Sequence, residues 1–266
     1  RFSERATCIN VYYKDVYDNN VDGTVQVTDA QIQSGELCFL LNGNQSNIQW
    51  TQTIGEDACP LPFTTSQQVY ATGELSCVGA LLGNNTFTND ASAATQIPDH
   101  NYENGLCTGC GKSDASFIPI EDGVYQLSTP DQLIAFSLMV SEGTTSANAI
   151  LLDDIDMSSV NKILPSIGNG SNNYCGTFDG NFHKITVNID ETYADPALFG
   201  YTSDGAVVKN LIVDGNIVTS NKFAGVVARS YGLELLNVVS LIEIESNTNV
   251  NIYNMNTNTF KEVYAG

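Results

Sequence analysis

The sequence predicts a mainly β protein: a β-solenoid with a short capping helix, joined to a small loop-rich linker module that carries cysteines and a histidine. Three observations carry this prediction. From residue 147 onward, short β-branched runs alternate with Gly/Asn turns. The segments "DGAVVKNLIVDGNIV" and "YGLELLNVVSLIEIE" superpose when Gly205 is set on Gly232, which places Asn210 on Asn237 and Ile217 on Ile244 at an offset of 27 residues. One strongly apolar helix precedes them. A rung of this length cannot bury its own apolar side, so rungs must stack to make a continuous core. The competing reading of the same pattern is a two-sheet sandwich with accidental self-similarity.

The elements follow in order. Cys8-Ile9-Asn10-Val11-Tyr12-Tyr13 is strand-prone, and Asp22-Gly23 marks a turn. "VTDAQIQSGELCFLLNGN" reads as one short helix, with Thr28 as N-cap, Gln31 at the capping-box position, and Gly35 and Gly43 punctuating its later part. Short strands are expected over residues 48–72, around Trp50, Pro60 and Pro62, and residues 73–126 are loop-rich. In "YQLSTPDQLIAFSLMVSEG", Thr129 fits an N-cap, Pro130 fits N1 and Gly143 fits C′. Leu133, Phe136 and Val140, with Ile134 and Leu138 beside them, form its apolar face. This helix, over 129–142, is expected to cap the first rung and cover its strand edges. "ANAILLDDIDM" reads as a strand, and "FDGNFHKITVNI" offers Gly180, Ile185 and Ile189 as a looser copy of the repeat.

Composition narrows the function. Thirty acids against 10 bases give a net charge of −20 in 266 residues. No cluster of Lys and Arg exists to neutralise phosphates, so a nucleic-acid partner is excluded. The acidity fits a soluble, self-repelling surface. The longest apolar runs are strand-sized, so no membrane insertion is expected. Low Lys with abundant Asn, Thr, Ser and Gly suits an extracellular β protein. Arg1-Phe2-Ser3-Glu4-Arg5 lacks an apolar leader, which places any signal peptide upstream or already removed. Sequons occur at Asn44, Asn84 and Asn169, and in a bacterial protein they would carry no weight.

"YCGTFDGNFHKITVNI", "ALFGYTSDGAVVKNLIVDGNI" and "FAGVVARS" resemble the GLUG-motif repeat proteins, large secreted surface proteins of gut anaerobic bacteria. The matching stretches are Gly176–Ile185, Leu198–Tyr201 and Val207–Gly215, within a resemblance spanning about residues 120 to 250. Ser34–Gly43 is similar to the "SGE…LLNG" element that closes such an array. The resemblance implies a right-handed parallel β-solenoid without enzymatic residues. It also implies that the chain is a fragment of a larger protein. Residues 1–63 would be the tail of a preceding array, 64–119 the linker module, and 120–266 the capping helix and start of a second array. One departure is Phe223-Ala224-Gly225, where the motif usually has Gly-Gly.

The strongest candidate site is Cys77, His100, Cys107 and Cys110. Tetrahedral zinc takes four such ligands, and Cys107-Thr108-Gly109-Cys110-Gly111 supplies two thiolates from one tight knuckle. The "ELSC" segment is expected on a strand. A loop-rich module with few apolar residues needs a staple, which structural zinc would provide. Linker modules similar to this one carry the same Cys…His…Cys-x-x-Cys order, which implies a treble-clef or ribbon-type zinc clip. The alternatives are a Cys77–Cys107 disulfide with Cys110 left over, or a redox pair, although no βαβ pattern surrounds it. Seven cysteines cannot all pair within the chain. Cys38 fits a buried small hydrophobe, Cys8 and Cys59 are a candidate bridge, and Cys175 is unassigned.

Catalytic readings are weaker. His183 with Asp179 offers a His–Asp pair, but no nucleophile elbow accompanies it. Asp153, Asp154 and Asp156 could act as glycosidase carboxylates, yet alternation on one strand would make them a solvated face. A β-helical polysaccharide lyase needs clustered cations, and Lys209, Lys222 and Arg229 are too sparse. Trp50, Tyr12, Tyr13, Tyr17 and Tyr70 could line a sugar-binding surface or simply serve as strand and core residues. The expectation is therefore a non-catalytic, adhesin-like or stalk segment, secreted or at the cell surface, in which the stapled linker fixes the angle between arrays. Its partner would be a glycan or a host or cell-surface protein, with end-to-end self-association of copies. The alternative is a carbohydrate-active β-helix enzyme (a polysaccharide lyase or glycoside hydrolase) or a carbohydrate-binding module.

Overall fold

The structure, a computed structural model, describes residues 11–14, 24–62, 66–160, 163–190, 196–220 and 224–245, with the backbone alone at 246 and 259–265. The chain is mainly β and divides into two compact units, residues 1–101 and 102–266.

In the first unit, β1 (Val11–Tyr13) pairs in parallel with β2 (Thr24–Gln26). Two short helices follow, α1 (Asp29–Gln33) and α2 (Glu36–Leu41), then β3 (Trp50–Thr51), β4 (Leu61–Pro62), β5 (Tyr70–Thr72) and β6 (Thr86–Thr88). β3–β4 and β5–β6 are antiparallel. The capping box forms: Thr28 Oγ1 accepts the Gln31 N–H at 3.2 Å, and Gln31 Oε1 accepts the Thr28 N–H at 2.9 Å. The expected single helix is instead two. Gly35 takes φ +91°, which ends one helix and lets the next restart at Glu36. The restart buries Cys38 and Phe39 against Val69, Ala71 and Leu75. Cys38 is fully buried as expected, and burial, followed by the charge of Asp57, pushes its thiol up to about 12. It is therefore an inert thiol at neutral pH.

The second unit is a ladder. It opens with β7 (Tyr102–Glu103), β8 (Leu106–Cys107), β9 (Ile120–Glu121) and β10 (Val124–Leu127). Next come α3 (Pro130–Ser141), β11 (Asn148–Leu151), β12 (Ile155–Asp156), β13 (Thr177–Asp179) and β14 (Lys184–Asp190). The unit finishes with β15 (Ala197–Thr202), β16 (Val207–Thr219), β17 (Gly225–Ser230), β18 (Glu234–Ser246) and β19 (Thr259–Ala265). Val124 pairs with Asn148, Ala149 with Phe178, Thr177 with Val207, Val207 with Glu234 and Glu234 with Thr259, all in parallel. A second column runs β12–β14–β16, with Ile155 on Ile185 and Lys184 on Ile212. A third pairs β15 with β17, Ala197 on Gly225. Among the described residues only β9 joins the large sheet in the antiparallel sense, making it mixed.

Parallel pairing stacks like on like. Ala149, Phe178, Val208 and Leu235 are successive register partners and all are buried. Ile155, Ile185 and Val213 form a second buried row. Each fully buried Ile, Val or Phe contributes about 1.5–3 kcal/mol relative to exposure, and the rows repeat that gain at every rung.

Helix α3 has the expected caps: Thr129 Oγ1 accepts the Gln132 N–H at 3.3 Å, and Gly143 follows with φ +124°. Its burial is wider than one face. The run Leu133 to Ser137 is buried, as are Met139 and Val140, whereas Leu138 is only half-buried. The reason is packing on several sides: the Phe136 ring lies 5.9, 6.2 and 6.1 Å from those of Tyr125, Tyr174 and Phe178. The expected strand over "ANAILLDDIDM" is interrupted at 152–154, so it is two short strands. That break removes the alternation assumed for Asp153, Asp154 and Asp156, and all three are exposed.

Two outcomes are expected from this ladder. Gly215 has φ +107°, and a Cβ there would lie 2.0 Å from the Val187 carbonyl oxygen of the adjacent rung. Gly215→Ala should destabilise the chain by at least about 2 kcal/mol. Gly123→Ala, at φ +79° with open space around it, should cost about 1 kcal/mol. Urea denaturation of the two variants measures the difference. Asp179 is the second case. Partial burial opposes its ionisation, but the Asn181 N–H, the Asn210 amide and Lys209 together hold its carboxyl below the usual carboxylate range. Because the folded-state value is depressed, its stabilisation is present above the ordinary carboxylate range and lost as pH falls through the folded value. Asp179→Asn should flatten the loss of stability below about pH 4, read from urea midpoints across that range.

Candidate metal centre

The candidate ligands come from three separate stretches of the chain. Cys77 sits in a tight turn, not on the expected strand: the Gly79 N–H bonds the Ser76 carbonyl at 2.9 Å, and the Ser76 N–H bonds the Ala80 carbonyl at 2.9 Å. The turn is closed by a bridge between Leu75 and Leu81. His100 is half-buried in a stretch without regular secondary structure.

Cys107 and Cys110 come from a hairpin and the knuckle that follows it. Asn104 and Gly105 have φ +50° and +79°, the pair of left-handed residues that a two-residue hairpin turn with matching twist requires. β7 and β8 flank this turn, with Tyr102 opposite Cys107. The knuckle closes when the Gly111 N–H bonds the Cys107 carbonyl at 2.8 Å and the Cys107 N–H bonds the Lys112 carbonyl at 2.9 Å. Cys107 is 3 % exposed, whereas Cys110 is on the surface.

The Sγ atoms of Cys77, Cys107 and Cys110 and a ring nitrogen of His100 all lie within 4.8 Å of one another. None of the three cysteines is in a disulfide. A tetrahedral shell with bonds of about 2.0–2.3 Å places ligand atoms about 3.5–3.8 Å apart, so a small contraction brings this set onto a metal ion. A Cys3His group of this kind can hold a metal ion. A Cys77–Cys107 bridge would need only two of the four groups and gives no reason for His100 and Cys110 to converge. Around the centre the field is acidic. Burial, then the charges of Asp114, Cys107, Cys110 and Glu142, raise the Tyr102 phenol above its ordinary value.

The other residues singled out by sequence are dispersed. His183 Nδ1 lies 3.2 Å from Asp154 Oδ1, while Asp179 Oδ2 takes Lys209 Nζ at 3.1 Å. His183 and Asp179 thus have different partners. The Lys184 N–H and the His183 ring hold the Asp154 carboxyl below its usual range. Arg229 stands 5.6 Å over the Tyr201 ring. Trp50 packs against the core of the first unit, and Tyr12, Tyr13 and Tyr70 are half-buried. Cys59 and Cys175 are free thiols. Arg1 to Arg5, Cys8, Tyr17, Asp22, Gly23, Lys222 and Phe223 lie outside the described residues.

Two features escaped the sequence reading. The Asn104-Gly105 hairpin was legible in principle, since Asn-Gly is the strongest two-residue turn signal. The polar ladder of Asp179, Asn210 and Asn237 is the other. Asn210 Nδ2 donates to Asp179 Oδ1 and Asn237 Nδ2 donates to Asn210 Oδ1, each at 3.0 Å. No family model, curated protein or solved structure matches this chain.

The expected outcome for the centre is about one tightly held metal ion per chain. Elemental analysis after reduction, metal loading and desalting measures it. Cys107→Ser should abolish retention and Cys59→Ser should leave it unchanged. Retention that survives Cys107→Ser would place the metal elsewhere.

Proposed function

We propose that this chain is a non-catalytic segment of a secreted or cell-surface bacterial repeat protein, and that its parallel ladder is a right-handed β-solenoid. The observation that carries the reading is the row-on-row register of the second unit, in which Ile217 stacks on Ile244 and Asn210 on Asn237 across β16 and β18. The resemblance of Gly176–Ile185, Leu198–Tyr201 and Val207–Gly215 to GLUG repeats supports it. The metal at Cys77, His100, Cys107 and Cys110 is zinc in a structural role. Three thiolates and an imidazole suit zinc, and four protein ligands leave no open position for a substrate.

The ladder's outward side would be the binding surface, with a glycan or a host or cell-surface protein as partner and end-to-end stacking of copies along its axis. Two exposed aromatics favour a glycan: Phe182 is 73 % exposed and held at φ +66°, and Tyr231 is 60 % exposed. A bulky residue in the left-handed region is a strained position that folds rarely keep without use.

The test is a glycan array run beside an activity screen on polysaccharides. Binding that weakens at least about tenfold in Phe182→Ala or Tyr231→Ala, a loss typical of a stacking contact, together with no turnover, is the expected outcome. Release of reducing or unsaturated ends from any polysaccharide would replace this reading with the carbohydrate-active enzyme.

A further inference from the structure

Glutamate at the C-terminal end of a helix is electrostatically misplaced, because that end carries partial negative charge. Glu142 is nevertheless the C-cap residue of α3. Its two carboxylate oxygens are both engaged: Oε1 accepts the Ser113 N–H at 3.1 Å and Oε2 accepts the Ser113 hydroxyl at 2.8 Å. Ser113 is buried, at 7 % exposure, so these bonds satisfy two donors that would otherwise be desolvated and unmet. An exposed acid at the wrong end of a helix is therefore retained by a specific grip on a buried serine.

Ser113 closes the metal knuckle. It lies opposite Leu106 in an antiparallel bridge, adjacent to Cys107. Its neighbours complete the closure: the Lys112 carbonyl accepts the Cys107 N–H at 2.9 Å, and the Asp114 N–H bonds the Gly105 carbonyl at 2.8 Å. Fixing Ser113 fixes the return strand on which both knuckle cysteines depend. On its other side the end of α3 is bonded into the ladder. The Ser141 carbonyl accepts the side-chain amides of Asn169 and Asn172 at 3.3 and 2.8 Å. The Thr145 carbonyl accepts the Cys175 N–H, and the Ala147 carbonyl accepts the Tyr174 hydroxyl, each at 2.9 Å.

We propose that Glu142 is a positioning residue for the metal centre, and that its bidentate hold on Ser113 couples metal occupancy to the stability of α3 and the ladder around it. This rests on the reading of Cys77, His100, Cys107 and Cys110 as a metal centre. The coupling is reciprocal: whatever the Glu142–Ser113 contact adds to metal affinity, the metal adds to the contact. Partners of this kind, one step removed from the ligands, typically change metal affinity by about 10–100-fold.

The experiment uses the full chain with Co(II) and then Zn(II). Affinity is read by competition with a chromophoric chelator, geometry by the Co(II) thiolate spectrum, and coupling by amide hydrogen exchange over Leu133–Val140 with and without metal. In the wild-type chain, metal should raise protection of α3. Glu142→Ala should keep the tetrahedral cobalt spectrum, weaken affinity about 10–100-fold and lose the metal-dependent part of the protection. Glu142→Gln, which keeps one acceptor oxygen, should recover part of both. Ser113→Ala, which retains the backbone bond, supplies an independent and milder perturbation. Wild-type affinity and an unchanged metal-dependent protection in Glu142→Ala and Ser113→Ala would overturn the coupling while leaving the metal centre intact. A wild-type chain that binds neither metal would remove the centre itself, and the coupling with it.

Discussion

The parallel in-register pairing that runs from β10 to β19 constrains almost everything else in the second unit. In a parallel pair each residue lies beside its register partner, so an inward position must be apolar in every rung that stacks there. Phe178 between Ala149 and Val208, or Ile185 between Ile155 and Val213, is a consequence of that rule. The aromatic cluster at the start of the ladder has the same origin. Phe178 and Phe199 meet edge to face at 5.3 Å, and Tyr174 is buried between the helix and the sheet with its hydroxyl on the Ala147 carbonyl. Where the inward position is a glycine, as at Gly215, the backbone of the neighbouring rung occupies the space a side chain would need.

The same register organises the polar residues. At the corner between the first and second columns the early rungs spend several residues, at 152–154 and 180–183, while β16 and β18 turn it with a single left-handed asparagine each. Asn tolerates that conformation, and its side-chain amide can bond the residue stacked above. This produces the chain from Asp179 through Asn210 to Asn237. Three of the acids have a similarly local use. Asp90, Asp114 and Asp156 each accept both the N–H and the hydroxyl of the serine two residues on, and each begins a short 3₁₀ turn. These aspartates are turn caps, which accounts for those acids in loops.

How much of this could be read from the sequence depended on the range of the interaction. Local signals were reliable: the Thr28 capping box, the Thr129 cap and Pro130 start of α3, and the buried Cys38 follow from residues within a few positions of one another. The 27-residue offset was also legible, because β16 and β18 pair at that spacing, and Asn210 does meet Asn237. What failed was tertiary. The helix after Thr28 breaks because burying Phe39 requires a change of direction at Gly35, which no helical periodicity announces. Cys77 lies in a turn because the Leu75–Leu81 bridge closes there, and the strand at 147–157 breaks where the ladder turns its corner. His183 and Asp179 are four residues apart in sequence, yet their partners, Asp154 and Lys209, come from other rungs.

The contrast between the ladder and residues 73–119 gives a physical reason for a metal site in the latter, where the Cys3His group could hold an ion. Over that stretch only Leu75, Cys107 and Ile118 are buried apolar residues, and Cys107 belongs to the candidate metal group. Hairpins, Asp-x-Ser turns and backbone bonds shape the segment but add little net stability. A bound metal would add a stabilising term that so small an apolar core lacks; structural zinc, for scale, is worth about 10–16 kcal/mol in small domains at neutral pH. The ladder needs no such help, because each rung buries the one before it. Glu142 stands where the two kinds of stabilisation meet in the second unit, with its carboxylate on the knuckle serine and its helix in the aromatic core.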